Sequence, residues 1–470
     1  MPELDRRRLL KWGASLGALA GVGATVRYGL LPPPPREPLE SFDVLARRLH
    51  ETLDDAERAR ACVPYDDPMR QYHNRGVGGA GIPVNALNLS WSARRLVADL
   101  FHVGLSPAGR ERLPDQYFIN WPGIHLMRLL MCGDPHDGGP CQLILTGPHL
   151  NLRLGGASRE GVAFGGPQIY GDQRGDGDIG LPGNVYRDQL VAGQQLVAGL
   201  DETQRAAVRQ ARAPVQTRIA LQGSRGRFAG VPVAELPPAS REQARALVAS
   251  ILENYPEQDV AYAWECLDHN GGVDELSLSD YDLDHEGGRD ARGGPSQIIR
   301  LEGPAAVFYY RGEPHLHAFF NVAMDGDRPL SVGEELGENP SALDEPEVKR
   351  FYEESMQVQT NADLAHYPLR SVAGQLRAGT IRSGDLYALE SWQDRVVIAE
   401  VPGRDLHPDR TQELAADGEP LDPARTYRIA TNDQTLAEEP ERLGQVAAVE
   451  EAGLLRDVLI EQVRAHGFPG

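Results

Sequence analysis

Two histidines one residue apart, His315 and His317, interrupt the apolar run GEPHLHAFF. Alternate residues of a strand project from the same face, so this spacing would set two imidazoles side by side. Such a pair suits a divalent transition metal, whether zinc, manganese, iron or copper, with a third ligand expected from another strand. The same spacing also serves two histidines that face a solvated groove and bond to backbone carbonyls. The stretch AWECLDHNGG adds Glu265 and His269 as further ligands or as groups that orient the ligands. Glu265 or Asp268 could then act as general base in a metal-assisted hydrolysis.

Other chemistry-bearing patterns fall away on inspection. A cupin also uses His-x-His but needs a Glu shortly afterwards, and Ala318 to Val322 contain none. Asp172, Asp176 and Asp178 in DQRGDGDIG, and Asp280, Asp282, Asp284 and Glu286 in LSDYDLDHEGG, have oxygens that suit calcium. The EF-hand pattern nevertheless fails, with His285 where Gly is needed and Ala291 where Glu is needed, so both stretches read as solvated acidic loops. There is no Gly-x-Ser-x-Gly elbow, P-loop or dinucleotide fingerprint, and GVGGAG near Gly76 has no strand leading into it. A net charge of −21, from 47 Lys and Arg against 68 Asp and Glu, argues against a nucleic-acid partner or a basic membrane-binding face. Small cations are the more natural guests.

The elements that must position these residues read as an α+β chain in three parts. Residues 1–35 join Arg6, Arg7, Arg8, Leu9, Leu10 and Lys11 to a weakly apolar stretch and then a proline-rich spacer. That is the twin-arginine export pattern, so the protein is expected to be periplasmic or secreted, touching a membrane only through an uncleaved signal. The apolar stretch is short for a bilayer span. Residues 36–345 group helices and antiparallel strands, and residues 346–470 form a smaller α/β domain, the boundary lying in the polar stretch Gly333 to Pro346. Helical periodicity covers Glu37–Arg60, Ser92–Val103, Tyr186–Gly199, Ser240–Asn254 and Gly444–His466. CQLILTG, LNLRLGG and the long run SQIIRLEGPAAVFYYRGEPHLHAFFNVAMDG read as strands joined by turns. Export permits disulfides, and the Gly/Pro turn GDPHDGGP predicts a Cys132–Cys141 bridge, with Cys62 and Cys266 free.

The motifs RQYHNRG, GLSPAGRERL, TGPHLNLRLGG, GLDETQRAAV and EGPAAVFYYRG, with the paired histidines after them, occur in an order that resembles the bacterial family catalogued as domain of unknown function 3500. The resemblance covers roughly Ala61 to Asp325. The family's Gly-His-His-Leu element stands here as Gly147, Pro148, His149 and Leu150, and its His-x-His element as His315, Leu316 and His317. The resemblance therefore implies His149 as the third metal ligand beside His315 and His317, and implies no particular reaction.

A second segment, NADLAHYPLRSVAGQLRAGTIRSGDLYALE followed by GEPLDPARTYRIATND, is similar to the C-terminal domain of the 5′-nucleotidase family over roughly Val358 to Asp433. The family's nucleotide-facing Asn-x-Gly-Gly-Ile-Arg is replaced by Pro368 to Ala373, and its base-clamping stretch by QTLAEEPERLG. The similarity thus implies a retained fold without a nucleotide site. Taken together, the sequence predicts an exported metal-binding hydrolase acting on a small molecule or polymer outside the cytoplasm. The competing expectation is a non-enzymatic periplasmic binding or interaction protein.

Overall fold

The structure is a computed structural model that describes residues 38–469, apart from 74–78, 117–126, 137, 148, 156–159, 172–184, 211–212, 215, 217, 283–296, 313–315, 373, 407–420, 439–442, 444–445 and 447. The twin-arginine segment, His315, Asp172, Asp176, Asp178, Asp284 and Glu286 lie outside the described residues.

An α+β architecture is built on one large, mainly antiparallel sheet. Its principal strands are β1 (Arg128–Gly133), β2 (Cys141–Gly147), β3 (Leu150–Leu154), β4 (Gln168–Gly171), β5 (Ser277–Asp282), β6 (Gln297–Gly303), β7 (Ala306–Arg311) and β8 (His317–Val322). They lie in the order β1-β2-β3-β4-β8-β7-β6-β5, and two-residue strands extend both edges. The chain thus enters the sheet as a meander, leaves after β4, and returns as a second meander whose last strand docks against β4.

One face of the sheet carries the helices α1 (Phe42–Thr52), α2 (Asp55–Ala61), α3 (Trp91–Val103), α4 (Arg187–Ala198), α5 (Pro238–Leu252) and α6 (Glu257–His269). Leu45, Phe101, Leu190, Ile251 and Leu267 from these helices share a core with Leu143, Leu152, Tyr170, Phe308 and Phe320 from the strands. Truncating a side chain such as Phe320 here costs on the order of 3–5 kcal/mol. The period of two then assigns the alternate strand residues to the other face. There Ile169, Phe319, Tyr309 and Ile298 meet Ile219, Leu221, Leu330 and Val332 from covering segments.

The continuous helix expected over Glu37–Arg60 is instead the pair α1 and α2. Asp54 adopts extended backbone (φ −75°, ψ 175°) and forms a capping box with Glu57, which ends one helix and starts the next. The predicted Cys132–Cys141 bridge is absent, and all four cysteines are free. The register explains why: Gly133 opposes Cys141 and Cys132 opposes Gln142, so the two thiols are offset by one residue and point to opposite faces. Cys132 packs with Tyr72 and Ile144 on one face, and Cys141 joins the helical core on the other.

The second core begins at Leu343 and uses α7 (Glu345–Thr360), α8 (Ser383–Leu389) and α9 (Leu455–His466). The strand Glu335–Asn339 pairs with Gly379–Arg382, and a four-stranded sheet centres on Arg395–Pro402 and Thr426–Asn432. The expected Gly444–His466 helix is shorter than predicted. Ala448–Leu454 pairs as an edge strand with Arg395–Ala399, with Gly453 at φ +96° beside an irregularity in the pairing, and α9 starts only at Leu455. Contacts between the two parts include Gln71 Nε2 donating to Asp385 Oδ1 (2.7 Å) and the Tyr72 hydroxyl donating to the Ser391 carbonyl (2.7 Å).

Candidate functional site

β7 and β8 form a hairpin that opposes Arg311 to His317, and β8 on its other side opposes His317 to Gly171 of β4. β4 opposes Tyr170 to Leu150 of β3, which brings His149 to the same level. Arg311, His317, Gly171 and His149 therefore make one rung across four neighbouring strands. Because Ala318, Phe320 and Val322 face the helical core and Phe319 the other, His317 lies on the side away from the helices.

Local geometry tightens the rung. Gly147 pairs with Leu150, leaving a two-residue turn, and His149 takes the left-handed backbone (φ 56°) that tight hairpins demand. At Gly171 an added Cβ would come within 3.2 Å of both His149 Cβ and His317 Cδ2, and within 2.7 Å of the Leu316 carbonyl oxygen. Only glycine lets the two histidines close over this point. Their ring centroids are 4.5 Å apart with the planes inclined by 51°.

His317 is buried, and its Nδ1 lies 2.6 Å from Gln216 Oε1. An amide oxygen only accepts, so Nδ1 carries the proton in that bond and Nε2 keeps its lone pair. Arg311 Nη2 lies 2.9 Å from Nδ1 and 2.8 Å from Nε2. Imidazole nitrogens fit a divalent transition metal, whereas the guanidinium repels one and attracts an anion. The full rung is therefore matched to an anion, or to a cation that arrives with an anionic companion.

The remaining sequence candidates lie elsewhere. Glu265, Asp268 and His269 share one face of α6, at the i, i+3, i+4 spacing of helix neighbours, and all three are exposed. The buried face of α6, Ala263, Cys266 and Leu267, packs into the helical core, on the side of the sheet opposite His317. The structure thus joins His149 to His317 and separates Glu265, Asp268 and His269 from them. Arg311 and Gln216 are the residues the motifs did not reveal. Arg311 was within reach, since a hairpin closing through RGEPHLH pairs it with His317. Gln216 comes from a distant covering segment and left no signal.

That segment extends along the same face. Asn321 Nδ2, two residues along β8 from Phe319, donates to the Ile219 carbonyl (3.0 Å), and Gln222 lines a cleft of about 560 Å³ between the two parts of the chain. Arg225, Arg328, Arg377 and Arg382 line the same cleft, against Asp327 and Glu338. Three residues along β3 from Leu150, Arg153 is buried and donates to the carbonyls of Arg70 (2.5 Å), Tyr72 (2.9 Å) and Pro167 (3.1 Å). Burial, with Arg70 beside it, pushes this guanidinium down to about 9. Its neutral partners mark it as a brace for the covering loops.

The family described as "Protein of unknown function (DUF3500)" matches residues 36–279, just over half of the 470-residue chain. The chain belongs to this family. The DUF3500 match contains His149 and all of α6 and stops before Arg311 and His317. No curated protein matches the chain. Among solved structures, the 5′-nucleotidase precursor from Thermus thermophilus is similar at 11% identity over 60% of this chain and 65% of that one, with a TM-score of 0.27. A Staphylococcus aureus structure assigned to the 5′-nucleotidases, in complex with alpha-ketoglutarate, is similar at 10% identity over 35% and 48%, with a TM-score of 0.23. The chain spans less than two thirds of either, and likenesses this loose leave the site to be read from its own residues.

Proposed function

We propose that this DUF3500 member is an exported metal-binding hydrolase whose centre is the His149–His317 rung, with His315 as the third ligand. The observation that carries this reading is the 4.5 Å approach of the half-buried His149 and buried His317 imidazoles over a glycine where any larger residue would crowd both. When bound, zinc, manganese, iron or copper would supply a Lewis acid and a water acidic enough to attack near neutral pH. Gln216 orients His317 through Nδ1. Arg311 holds the negative charge that develops on a substrate oxygen and offsets its own repulsion from the cation. Glu265 and Asp268 have no part in this scheme, because they face solvent across the sheet. The arginine-lined cleft on the same face favours an anionic small molecule or polymer as substrate. Export follows from Arg6, Arg7 and Arg8 ahead of an apolar stretch. Among the described residues no helix is long and apolar enough to cross a membrane.

One observation favours the second reading, a non-enzymatic binding protein. Arg311 already occupies the edge of His317 that a metal would use, which suits an anion held by Arg311 and the imidazoles. Elemental analysis of the purified full chain, with His149→Ala and His317→Ala alongside, separates the two. Stoichiometric transition metal lost in both variants supports the hydrolase. Transition-metal content that is the same in the wild type and both variants, with an anion bound in an Arg311-dependent manner, refutes it.

A further inference from the structure

The GDPHDGGP turn between β1 and β2, which fails to join two cysteines, instead brings Asp134 and His136 to His50 in the last turn of α1. His50 Nδ1 and His136 Nε2 are 3.0 Å apart, and their rings meet edge-on with centroids 4.9 Å apart. Asp134 lies in the same group, all three donor atoms falling within 4.8 Å of one another. The loop is pre-shaped for this. Asp134 Oδ1 accepts from the His136 backbone N–H (2.9 Å), and Gly133 and Gly138 take left-handed backbone at φ +85° and +64°. His50 and His136 are half-buried, while Asp134 opens to solvent.

We propose that His50, Asp134 and His136 form a second, structural metal site that takes a divalent transition cation such as zinc and clips α1 to the β1–β2 turn. Two imidazoles and one carboxylate are a donor set that borderline cations favour over calcium or magnesium. Metal–nitrogen bonds of about 2.0–2.1 Å place tetrahedral ligand atoms roughly 3.3–3.5 Å apart. The 3.0 Å separation of the imidazole nitrogens reaches that spacing through small side-chain rotations, with no movement of α1. Solvent at Asp134 supplies the remaining position. The clip would join the first helix after the N-terminal segment to the sheet, and only protein able to make this α1–turn contact would bind the ion. The proposal is independent of the hydrolase reading, since it uses different residues on a different part of the sheet.

Zinc stoichiometry of the full chain, by equilibrium dialysis and elemental analysis, tests it with His50→Ala, His136→Ala and Asp134→Asn beside His317→Ala. His50→Ala and His136→Ala are expected to lose one equivalent each, and Asp134→Asn to bind that equivalent more weakly. His317→Ala should keep it. Saturating zinc should raise the thermal midpoint of His317→Ala by several degrees and leave that of the His317→Ala/His136→Ala double variant unmoved. Cobalt(II) should give a visible absorption band in His317→Ala that the His317→Ala/His136→Ala double variant lacks. His136 lies on a surface turn, and far-UV circular dichroism verifies that its variant folds. Unchanged zinc stoichiometry and midpoint shift in His50→Ala and His136→Ala would show that the pair is a plain imidazole–imidazole hydrogen bond, and would overturn the proposal.

Discussion

Replacing Glu390 by glutamine should abolish a specific pH dependence of the second core. Glu390 caps α8 and is almost completely buried; its Oε1 accepts from the backbone N–H groups of Trp392 (2.9 Å) and Asp394 (3.4 Å), while Oε2 has no hydrogen-bond partner among the described residues. Asp394, its neighbour, is better served, with the Tyr367 hydroxyl (2.9 Å) and Asn432 Nδ2 (2.5 Å) on Oδ2. Of two carboxyls in one dry site, the one with fewer donors takes the proton. Burial first, and Asp394 second, push Glu390 from 4.5 up to about 8. The folded state therefore holds a proton that the unfolded state releases, and stability falls as pH rises from about 4.5 to about 8, then levels off. At 1.36 kcal/mol per pKa unit the full loss is about 5 kcal/mol, of which about 3 is spent by pH 7. Glutamine has the shape of the neutral acid and no charge to acquire. Urea unfolding followed by tryptophan fluorescence, from pH 5 to pH 9, should show a falling midpoint for the wild type and a flatter one for Glu390→Gln. The curves should meet near pH 5 and separate in favour of glutamine above pH 8. Parallel curves, or a glutamine variant weaker at pH 8.5, would refute the reasoning. The consequence reaches the domain contact, because Ser391 and Gln393 of the same loop hold the Tyr72 hydroxyl.

Arg311→Met should increase metal bound at the rung while lowering any hydrolytic turnover, read by elemental analysis and by rate. Gly171→Ala should separate His149 from His317 and remove rung metal at a stability cost of about 1–3 kcal/mol, measured by denaturant midpoint. Glu302→Gln strands the fully buried Arg300 guanidinium, which Glu302 holds at 2.7 and 2.8 Å, and should destabilise the chain by about 3–5 kcal/mol. Thiol titration of chain exported to an oxidising compartment should find four free cysteines in denaturant. In the folded state the thiols should react slowly, since burial pushes Cys132 and Cys141 up to about 12 and Cys62 and Cys266 to about 11.

Local pattern made much of this legible. The near-continuous apolar runs AVFYYR and HAFFNV mark strands with two buried faces, and the period of two sets which of their residues share a side. Helical periodicity located α3, α4 and α5 to within two residues, because amphipathic spacing is a property of the segment alone. It failed at Asp54, where a cap overrode the period, and at Ala448–Leu454, where pairing with a distant strand decided the conformation. The predicted disulfide failed for a related reason. Closeness along the chain says nothing about register, and a one-residue offset sends Cys132 and Cys141 to opposite faces.

By itself, then, the sequence determined the α+β class, the strand that carries His317 and the chemical type of the candidate ligands, since each follows from residue identity and a repeat of two or 3.6. Only the tertiary structure decided the company those ligands keep. It set His149 beside His317 and Arg311 over its edge, moved Glu265, Asp268 and His269 to the far face, and brought His50 to Asp134 and His136. Each of these depends on which strand lies next to which, a choice made by burial of whole faces and not by any short stretch of chain.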